Sequence, residues 1–121
     1  NMVKYDLEDR TLKFARDVRR LVRKLPKTAA NVEDGKQVIR SSGSVGANYI
    51  EGNEATSKKD LIYRVKVSRK EVKETRYWLH ILDTGTYLED ERTRLIKESN
   101  ELLCILSTII LELEGQRKPK K

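Results

Sequence analysis

The chain of 121 residues has one cysteine, one histidine and no long apolar run. A single cysteine cannot form an internal disulfide, so a disulfide-stabilised scaffold is excluded and cytoplasmic residence is the simplest expectation. A single histidine excludes metal sites built from several histidines, including the paired Glu-x-x-His motifs of di-iron bundles. We find no signal-peptide pattern and no segment near the roughly 20 apolar residues that a membrane span requires, so no membrane partner is expected.

The sequence also lacks a catalytic pattern. His80 follows Trp78 and Leu79 near the end of a predicted helix, which favours a capping or interfacial role. Cys104 lies in an apolar run, which predicts a buried and unreactive thiol. The run Gly43–Gly46 is neither a nucleophile elbow nor a phosphate-binding loop, because no Gly-x-x-x-x-Gly-Lys is present. We therefore predict a protein that is not an enzyme and uses no cofactor or metal.

Apolar residues recur at helical spacing through four segments, at about 6–25, 33–51, 58–84 and 89–114. Short links and the lack of alternating apolar and polar runs predict an all-α fold, an antiparallel up-down-up-down four-helix bundle over residues 6–114. Residues 115–121 include four basic residues and have nothing to bury, so we expect them to form a disordered basic tail.

The stretch 41–52 is almost free of charge, although 37% of the chain is charged. Its apolar rhythm runs through Gly43 and Gly46, and a glycine inside a helix costs about 1 kcal/mol relative to alanine. We interpret both glycines as helix-packing positions, where a neighbouring helix approaches the backbone closely. A flexible Gly/Ser loop is the alternative. A membrane span is excluded, because Arg40 and Glu51 enclose only ten uncharged residues.

The third and fourth predicted helices carry more apolar residues than one packing stripe needs. The additional residues form a second line on each helix: Tyr63, Val67, Trp78 and Ile81 on the third, and Ile96, Leu103 and Ile110 on the fourth. Exposed apolar surface of this extent usually marks an interface, so these lines predict a homo-oligomer. Identical chains joined in this way close into a ring.

Charge is segregated along the sequence. Residues 10–27 hold eight basic residues against one acidic, residues 58–76 eight against three, and residues 89–114 three against seven. Candidate nucleic-acid-binding residues lie on helix faces nearly free of carboxylates: Arg16, Arg20, Arg23, Lys59, Lys66, Arg69, Lys70, Lys73 and Arg76. Basic side chains at helical spacing can follow a phosphate backbone. A merely solvated charged face is the alternative.

Aromatic residues bear on how such a surface would bind. We interpret Tyr63, Tyr77 and Trp78 as core or interface residues rather than as platforms for stacked bases. Binding governed by charge and shape, with little readout of sequence, is therefore expected.

The run Ser42–Gly52 resembles the signature of a bacterial four-helix-bundle family, named after proteins encoded in intervening sequences of 23S ribosomal RNA genes. Ser57–Asp60 and Glu74–Leu79 match the same pattern in the same order, and the resemblance covers about residues 7–114. Members are similar to accessory proteins of diversity-generating retroelements, which are homopentamers that bind nucleic acid and a reverse transcriptase. The resemblance thus implies five subunits, a number that the residue spacing does not set.

Two functions of different class follow. The preferred hypothesis is a non-enzymatic, oligomeric protein that binds RNA or DNA, structured RNA in the first place, alone or beside an RNA-handling enzyme such as a reverse transcriptase. The alternative is a scaffold ring that binds a protein partner, for example through its acidic fourth helix.

Overall fold

The structure is a computed structural model that describes the backbone of residues 2–115 and the side chains of residues 7–115. Within this range the chain is all-α, with no strand and four helices: α1 (Met2–Lys24), α2 (Ala29–Asn53), α3 (Lys58–Ile81) and α4 (Glu89–Leu113). No helix of the described range combines the length and apolar character needed to cross a membrane. Of the predicted basic tail, residues 116–121 lie outside the part of the chain that the structure describes.

Consecutive helices pack against each other, and α4 closes the arrangement by contacting α1. Arg40 of α2 bonds Glu74 of α3 at 2.6 Å, whereas Asn48, later on α2, bonds Arg64, earlier on α3. This order of contacts makes the two helices antiparallel. Among the described residues the backbones of α1 and α3 nowhere come close to each other, so these two helices occupy opposite corners of the four-helix bundle.

The core is formed by one apolar stripe from each helix, including Phe14, Val45 and Leu79. Leu103 and Ile110 also belong to it, with 9% and 2% of their surface exposed. The structure therefore corrects their assignment to an oligomer interface. The apolar arc of α4 is wide because the helix packs against α3 as well as into the centre of its own bundle.

Hydroxyl side chains set where two helices begin. Thr28 caps α2, because its hydroxyl accepts a hydrogen bond from the N–H of Asn31, and the helix starts at Ala29 instead of about 33. Ser57 caps α3 in the same way, because its hydroxyl accepts a hydrogen bond from the N–H of Asp60.

The connection between α3 and α4 starts earlier than expected. Helix α3 ends at Ile81 rather than near 84, and Gly85 adopts a left-handed φ of +62°, which costs glycine little. The Arg92 guanidinium donates to the carbonyls of Leu79 at 3.3 Å and His80 at 3.4 Å. A cation of α4 thus caps the last turn of α3.

The charge-poor stretch of α2 is helical throughout, so it is not a Gly/Ser loop. A Cβ on Gly46 would lie 2.8 Å from Oγ1 of Thr11, which means that α1 approaches this backbone more closely than a side chain allows. At Gly43 the nearest atom would be a guanidinium nitrogen of Arg19, at 3.2 Å. That neighbour is the movable end of a long side chain, so the packing is looser there.

Candidate nucleic-acid interface

The predicted basic residues of α3 differ in exposure: the lysines are exposed, and the arginines are half-buried. Lys59, Lys70 and Lys73 are exposed and form no ion pair with any described carboxylate. Lys66 is exposed on the same side of the helix but pairs with Glu114 at 2.7 Å. Three of the predicted binding residues on α3 are therefore free to meet an anion, and a fourth is already partnered.

The two arginines predicted for this surface lie closer to α4. Arg69 and Arg76 are both half-buried. The Arg69 guanidinium donates to Oγ of Ser107 at 3.5 Å, and that of Arg76 to Oδ1 of Asn100 at 2.7 Å. Both side chains tie α3 to α4, so they contribute positive charge beside the lysines rather than projecting freely.

The basic residues predicted on α1 form a separate surface. Arg16 and Arg23 are exposed and without a carboxylate partner in the described range. Arg20 instead pairs with Asp17 at 2.7 Å. Because α1 and α3 stand at opposite corners of the bundle, one protomer does not bring the two predicted sets together.

Asp17 is a buried carboxylate that organises the surface between α1 and α4. Besides Arg20 it accepts Lys13 at 2.8 Å, and Arg94 of α4 lies 3.5 Å away. Burial raises the pKa of Asp17, but the hydrogen bond and charge of Lys13, with the help of Arg20 and Arg94, outweigh burial and lower it overall. The negative charge of Asp17 thus offsets part of the positive charge of Lys13, Arg20 and Arg94.

A second charged cluster ties α1 to α4. Arg10 donates to Glu98 at 2.7 Å and to Glu101 at 2.8 Å, and the hydrogen bond that Glu98 accepts is the main cause of a raised arginine pKa. The acidic residues of α4 predicted as a possible protein-binding surface are therefore in part internal partners of α1.

Two tyrosines share the exposed side of α3 with the lysines. Tyr63 and Tyr77 each expose 60% of their surface, so neither is a core residue, and the alternative that they are interface residues stays a prediction. Counted along the helix, lysines and tyrosines follow one another at intervals of four and three, and we call this line the α3 stripe: Lys59, Tyr63, Lys66, Lys70, Lys73 and Tyr77. That spacing was the sequence signal that could have identified the tyrosines.

Neighbouring side chains hold both rings. The Arg64 guanidinium lies over the Tyr63 ring, 5.7 Å from its centroid. Tyr77 meets Trp78 edge to face, with the ring centroids 5.3 Å apart. Trp78 is itself fixed, because it packs against the core and its indole N–H donates to Glu74 at 3.1 Å. Each exposed tyrosine ring therefore lies against a neighbouring side chain of α3.

Two carboxylates of α3 on the side of α2 pair with Arg40. Its guanidinium bonds Glu74 at 2.6 Å and Glu71 at 3.2 Å. The hydrogen bond from Arg40, followed by that from Trp78, lowers the pKa of Glu74, and the charge of Lys70 contributes to the same shift. One guanidinium balances only one of the two negative charges, so Lys70 offsets part of the other.

The stripe has an acidic boundary at one end. Glu51, Glu54 and Asp60 line a shallow cleft together with Tyr63 and Arg64, where α2 connects to α3. Negative charge therefore borders the Tyr63 end of the stripe.

The residues predicted for an oligomer interface do not form one exposed apolar face. Ile81 is exposed, Val67 is half-buried, and Trp78 and Ile96 pack against the core. Exposed apolar side chains occur elsewhere: Leu12 and Ile50 line a groove between α1 and α2.

The single cysteine lies on the outside of the bundle. Cys104 is exposed rather than buried, because it falls on the side of α4 that faces away from the other helices. Over the described part of the chain, no three His, Cys, Asp or Glu side chains are placed to hold a metal ion.

Comparison with known proteins locates the chain within a family. Residues 4–108 match the model described as 23S rRNA-intervening sequence protein. A crystal structure of a protein of unknown function from the S23 ribosomal protein family of Bacteroides thetaiotaomicron is similar, with 31% sequence identity and a TM-score of 0.76. The similarity covers 85% of this chain and 96% of that one. No protein with a curated function matches.

Proposed function

The chain belongs to the 23S rRNA-intervening sequence protein family, and from that premise we propose that it is a non-enzymatic, cytoplasmic protein that binds nucleic acid. Structured RNA is the proposed ligand, with DNA as the second candidate. The observation that carries the proposal is the α3 stripe, in which Lys59, Lys70 and Lys73 are exposed and have no carboxylate partner among the described residues.

Free lysines on one helix line are suited to a polyanion. Each ammonium group that neutralises a phosphate releases a condensed counterion, which favours binding at low salt. A surface that only serves solubility usually mixes the two signs of charge. On the α3 stripe the single ion pair is that of Lys66 with Glu114, so the net charge of the line stays positive.

Assembly into a homo-oligomer is the second part of the proposal. A ring repeats the stripe in every subunit, so that modest phosphate contacts add together on one RNA. Leu12 and Ile50, about half exposed in the groove between α1 and α2, and Ile81 at the end of α3 are the contacts we propose between subunits. Tyr63 lies among lysines, so we assign it to the nucleic-acid surface instead.

The family resemblance suggests more specific features. Similarity to accessory proteins of diversity-generating retroelements favours five subunits and a role beside an RNA-handling enzyme such as a reverse transcriptase. The resemblance alone supports these features, whereas the exposed lysines support the proposed binding surface.

Two triple variants test the proposal. Lys59→Gln/Lys70→Gln/Lys73→Gln removes the free lysines of the α3 stripe. Its matched control removes three lysines that already have carboxylate partners: Lys13, Lys24 and Lys36. Both lower the net charge of +7 equally. Affinity for a hairpin RNA and for duplex DNA is measured by fluorescence anisotropy over a range of salt concentrations.

The stripe variant should lose affinity and flatten the plot of log K against log salt by about 2 to 3, because each lost phosphate contact removes about 0.7–0.9. The control variant should change far less. Loss in both variants alike would mean that net charge, not the stripe, binds RNA. Truncation after Gly115 tests the four basic residues of the tail. No binding by the parent protein at low salt would favour the protein scaffold.

A further inference from the structure

From the geometry of the α3 stripe we infer that the protein binds unpaired nucleotides, with Tyr63 and Tyr77 stacking against bases and the lysines between them holding the phosphates. The inference rests on the proposed function and adds the class of ligand to it. Single-stranded segments and the loops of structured RNA share this chemistry, as does single-stranded DNA.

The tyrosine rings are available for stacking. Both are 60% exposed on a helix face that is otherwise made of lysines, and neither hydroxyl forms a side-chain hydrogen bond within the described residues. Exposed aromatic rings interleaved with basic residues are typical of surfaces that bind single strands, because every base offers a π-face. Bases inside a duplex are stacked on each other and cannot reach such rings.

The distance between the rings fixes how a strand would lie. Tyr77 lies fourteen positions after Tyr63, about 21 Å along a helix with a rise of 1.5 Å per residue. The two stacked bases are therefore not neighbours, and the strand between them runs past Lys66, Lys70 and Lys73. A base seated on each tyrosine would fix the strand along the helix axis.

The two platforms are not equivalent. Tyr77 adjoins Lys73 at the end of the stripe where Glu74 is paired with Arg40 at 2.6 Å. Tyr63 borders the acidic cleft of Glu51, Glu54 and Asp60, which repels phosphates. Stacking at Tyr77 should therefore contribute more to affinity than stacking at Tyr63.

Trp78 provides a built-in reporter of this contact. It is the only tryptophan of the chain, and its ring centroid lies 5.3 Å from that of Tyr77. A base that stacks on Tyr77 changes the immediate surroundings of the indole, so binding should alter tryptophan fluorescence.

The test compares tyrosine variants on three probes: single-stranded oligouridine, single-stranded oligothymidine and an RNA duplex of equal length. Tyr63→Leu and Tyr77→Leu remove the rings singly and together, whereas Tyr63→Phe/Tyr77→Phe keeps them. Tyr87→Leu is the matched control, because Tyr87 is 69% exposed but lies in the α3–α4 connection, where its hydroxyl donates to the Lys24 carbonyl at 3.0 Å. Anisotropy gives affinity, and circular dichroism and light scattering check folding and assembly.

Each Leu substitution should weaken single-strand binding at least about fivefold, more at Tyr77, while duplex affinity stays unchanged. The Phe pair and Tyr87→Leu should bind like the parent. The change in tryptophan fluorescence on binding should occur in the parent and should be lost in the variants that carry Tyr77→Leu. Comparing oligouridine with oligothymidine separates RNA from DNA as the source of the unpaired bases.

Two results would overturn the inference and leave the proposed function standing. One is unchanged single-strand affinity in the double Leu variant, and the other is an equal loss on duplex and single strand. Absence of binding by the parent protein to all three probes at low salt would instead remove the proposed function, and the inference with it.

Discussion

Asn31 holds the backbone of Asp83 through both ends of its side-chain amide. Its Nδ2 donates to the Asp83 carbonyl at 2.8 Å, and its Oδ1 accepts from the Asp83 N–H at 3.0 Å. The same Nδ2 donates to the carbonyl of Pro26 at 2.9 Å. One buried side chain in the first turn of α2 therefore joins the α1–α2 connection to the α3–α4 connection at one end of the bundle.

Replacing Asn31 should loosen this end. Asn31→Leu leaves the Asp83 amide and the Pro26 carbonyl without their partner, and an unsatisfied buried polar group costs about 1–3 kcal/mol. Urea unfolding followed by circular dichroism should show a loss of at least that size. Gln37→Leu, at an exposed position of α2 with no side-chain hydrogen bond among the described residues, should stay within about 0.5 kcal/mol of the parent. An equally small effect at Asn31 would show that other contacts hold the two connections.

The contact between α1 and α2 predicts different outcomes at two glycines. Gly46→Ala places a methyl group 2.8 Å from Oγ1 of Thr11, so α1 must move, and such overpacking costs about 1–3 kcal/mol. Gly43→Ala meets only the movable Arg19 side chain and gains helix propensity, up to about 1 kcal/mol. Thermal unfolding should thus shift in opposite directions. A stabilised Gly46→Ala variant would mean that the helices separate easily.

Local pattern was enough to predict the four helices, because apolar periodicity is a property of each segment by itself. The start of α2 was missed for a tertiary reason. Thr28 caps the helix, and Asn31 in its first turn bonds Asp83, a residue 52 positions away. No spacing rule relates two such distant residues.

The candidate surface was only partly predictable for a similar reason. A wide apolar arc on α4 shows how much surface is covered but not by what, and in the structure Leu103 and Ile110 are buried in the core of their own bundle. Periodicity predicts that the basic residues share one face of the helix. It does not predict that Lys66 pairs with Glu114 at the end of α4, because that ion pair depends on how α3 and α4 pack. Exposure of Tyr63 and Tyr77 follows from their register with the lysines, which the pattern does contain.

Stability should depend on pH through Glu74. Its hydrogen bond from Arg40 lowers its pKa, so ionised Glu74 stabilises the fold above the usual glutamate value of about 4.3, and this contribution is lost as pH falls through the lowered value. The effect should be at most about 1 kcal/mol, because the pair is partly exposed. Urea unfolding from neutral to acid pH should give a shallower loss for Glu74→Gln than for the parent.

The control for Glu74 is Glu33→Gln, which removes an exposed ion pair with Lys36. Its stability should follow the parent curve on acidification. A Glu74→Gln curve that also coincides with the parent would mean that the contact with Arg40 adds no measurable stability.

The single cysteine should react in the native protein. Cys104 is exposed on α4, so a thiol reagent should label it without denaturant at a rate comparable to that of the unfolded chain. Cys104→Ser should leave the free energy of unfolding within about 0.5 kcal/mol of the parent, as expected at an exposed position. Labelling that begins only in denaturant would contradict this exposure.

Two adjacent residues of α4 separate folding from assembly. Ile110 is 2% exposed in the core, whereas Leu111 is 39% exposed on the outer side. Removal of a buried isoleucine side chain alone costs about 2–5 kcal/mol, and a buried carboxylate adds to this. Ile110→Glu should therefore lose helical circular dichroism or unfold at much lower urea, rather than merely dissociating a folded oligomer. Leu111→Glu should keep its helices, so light scattering can then report whether the outer side of α4 contributes to assembly. If Ile110→Glu were folded and monomeric, the assignment of Ile110 to the core would be wrong and its predicted place in the oligomer interface would be favoured.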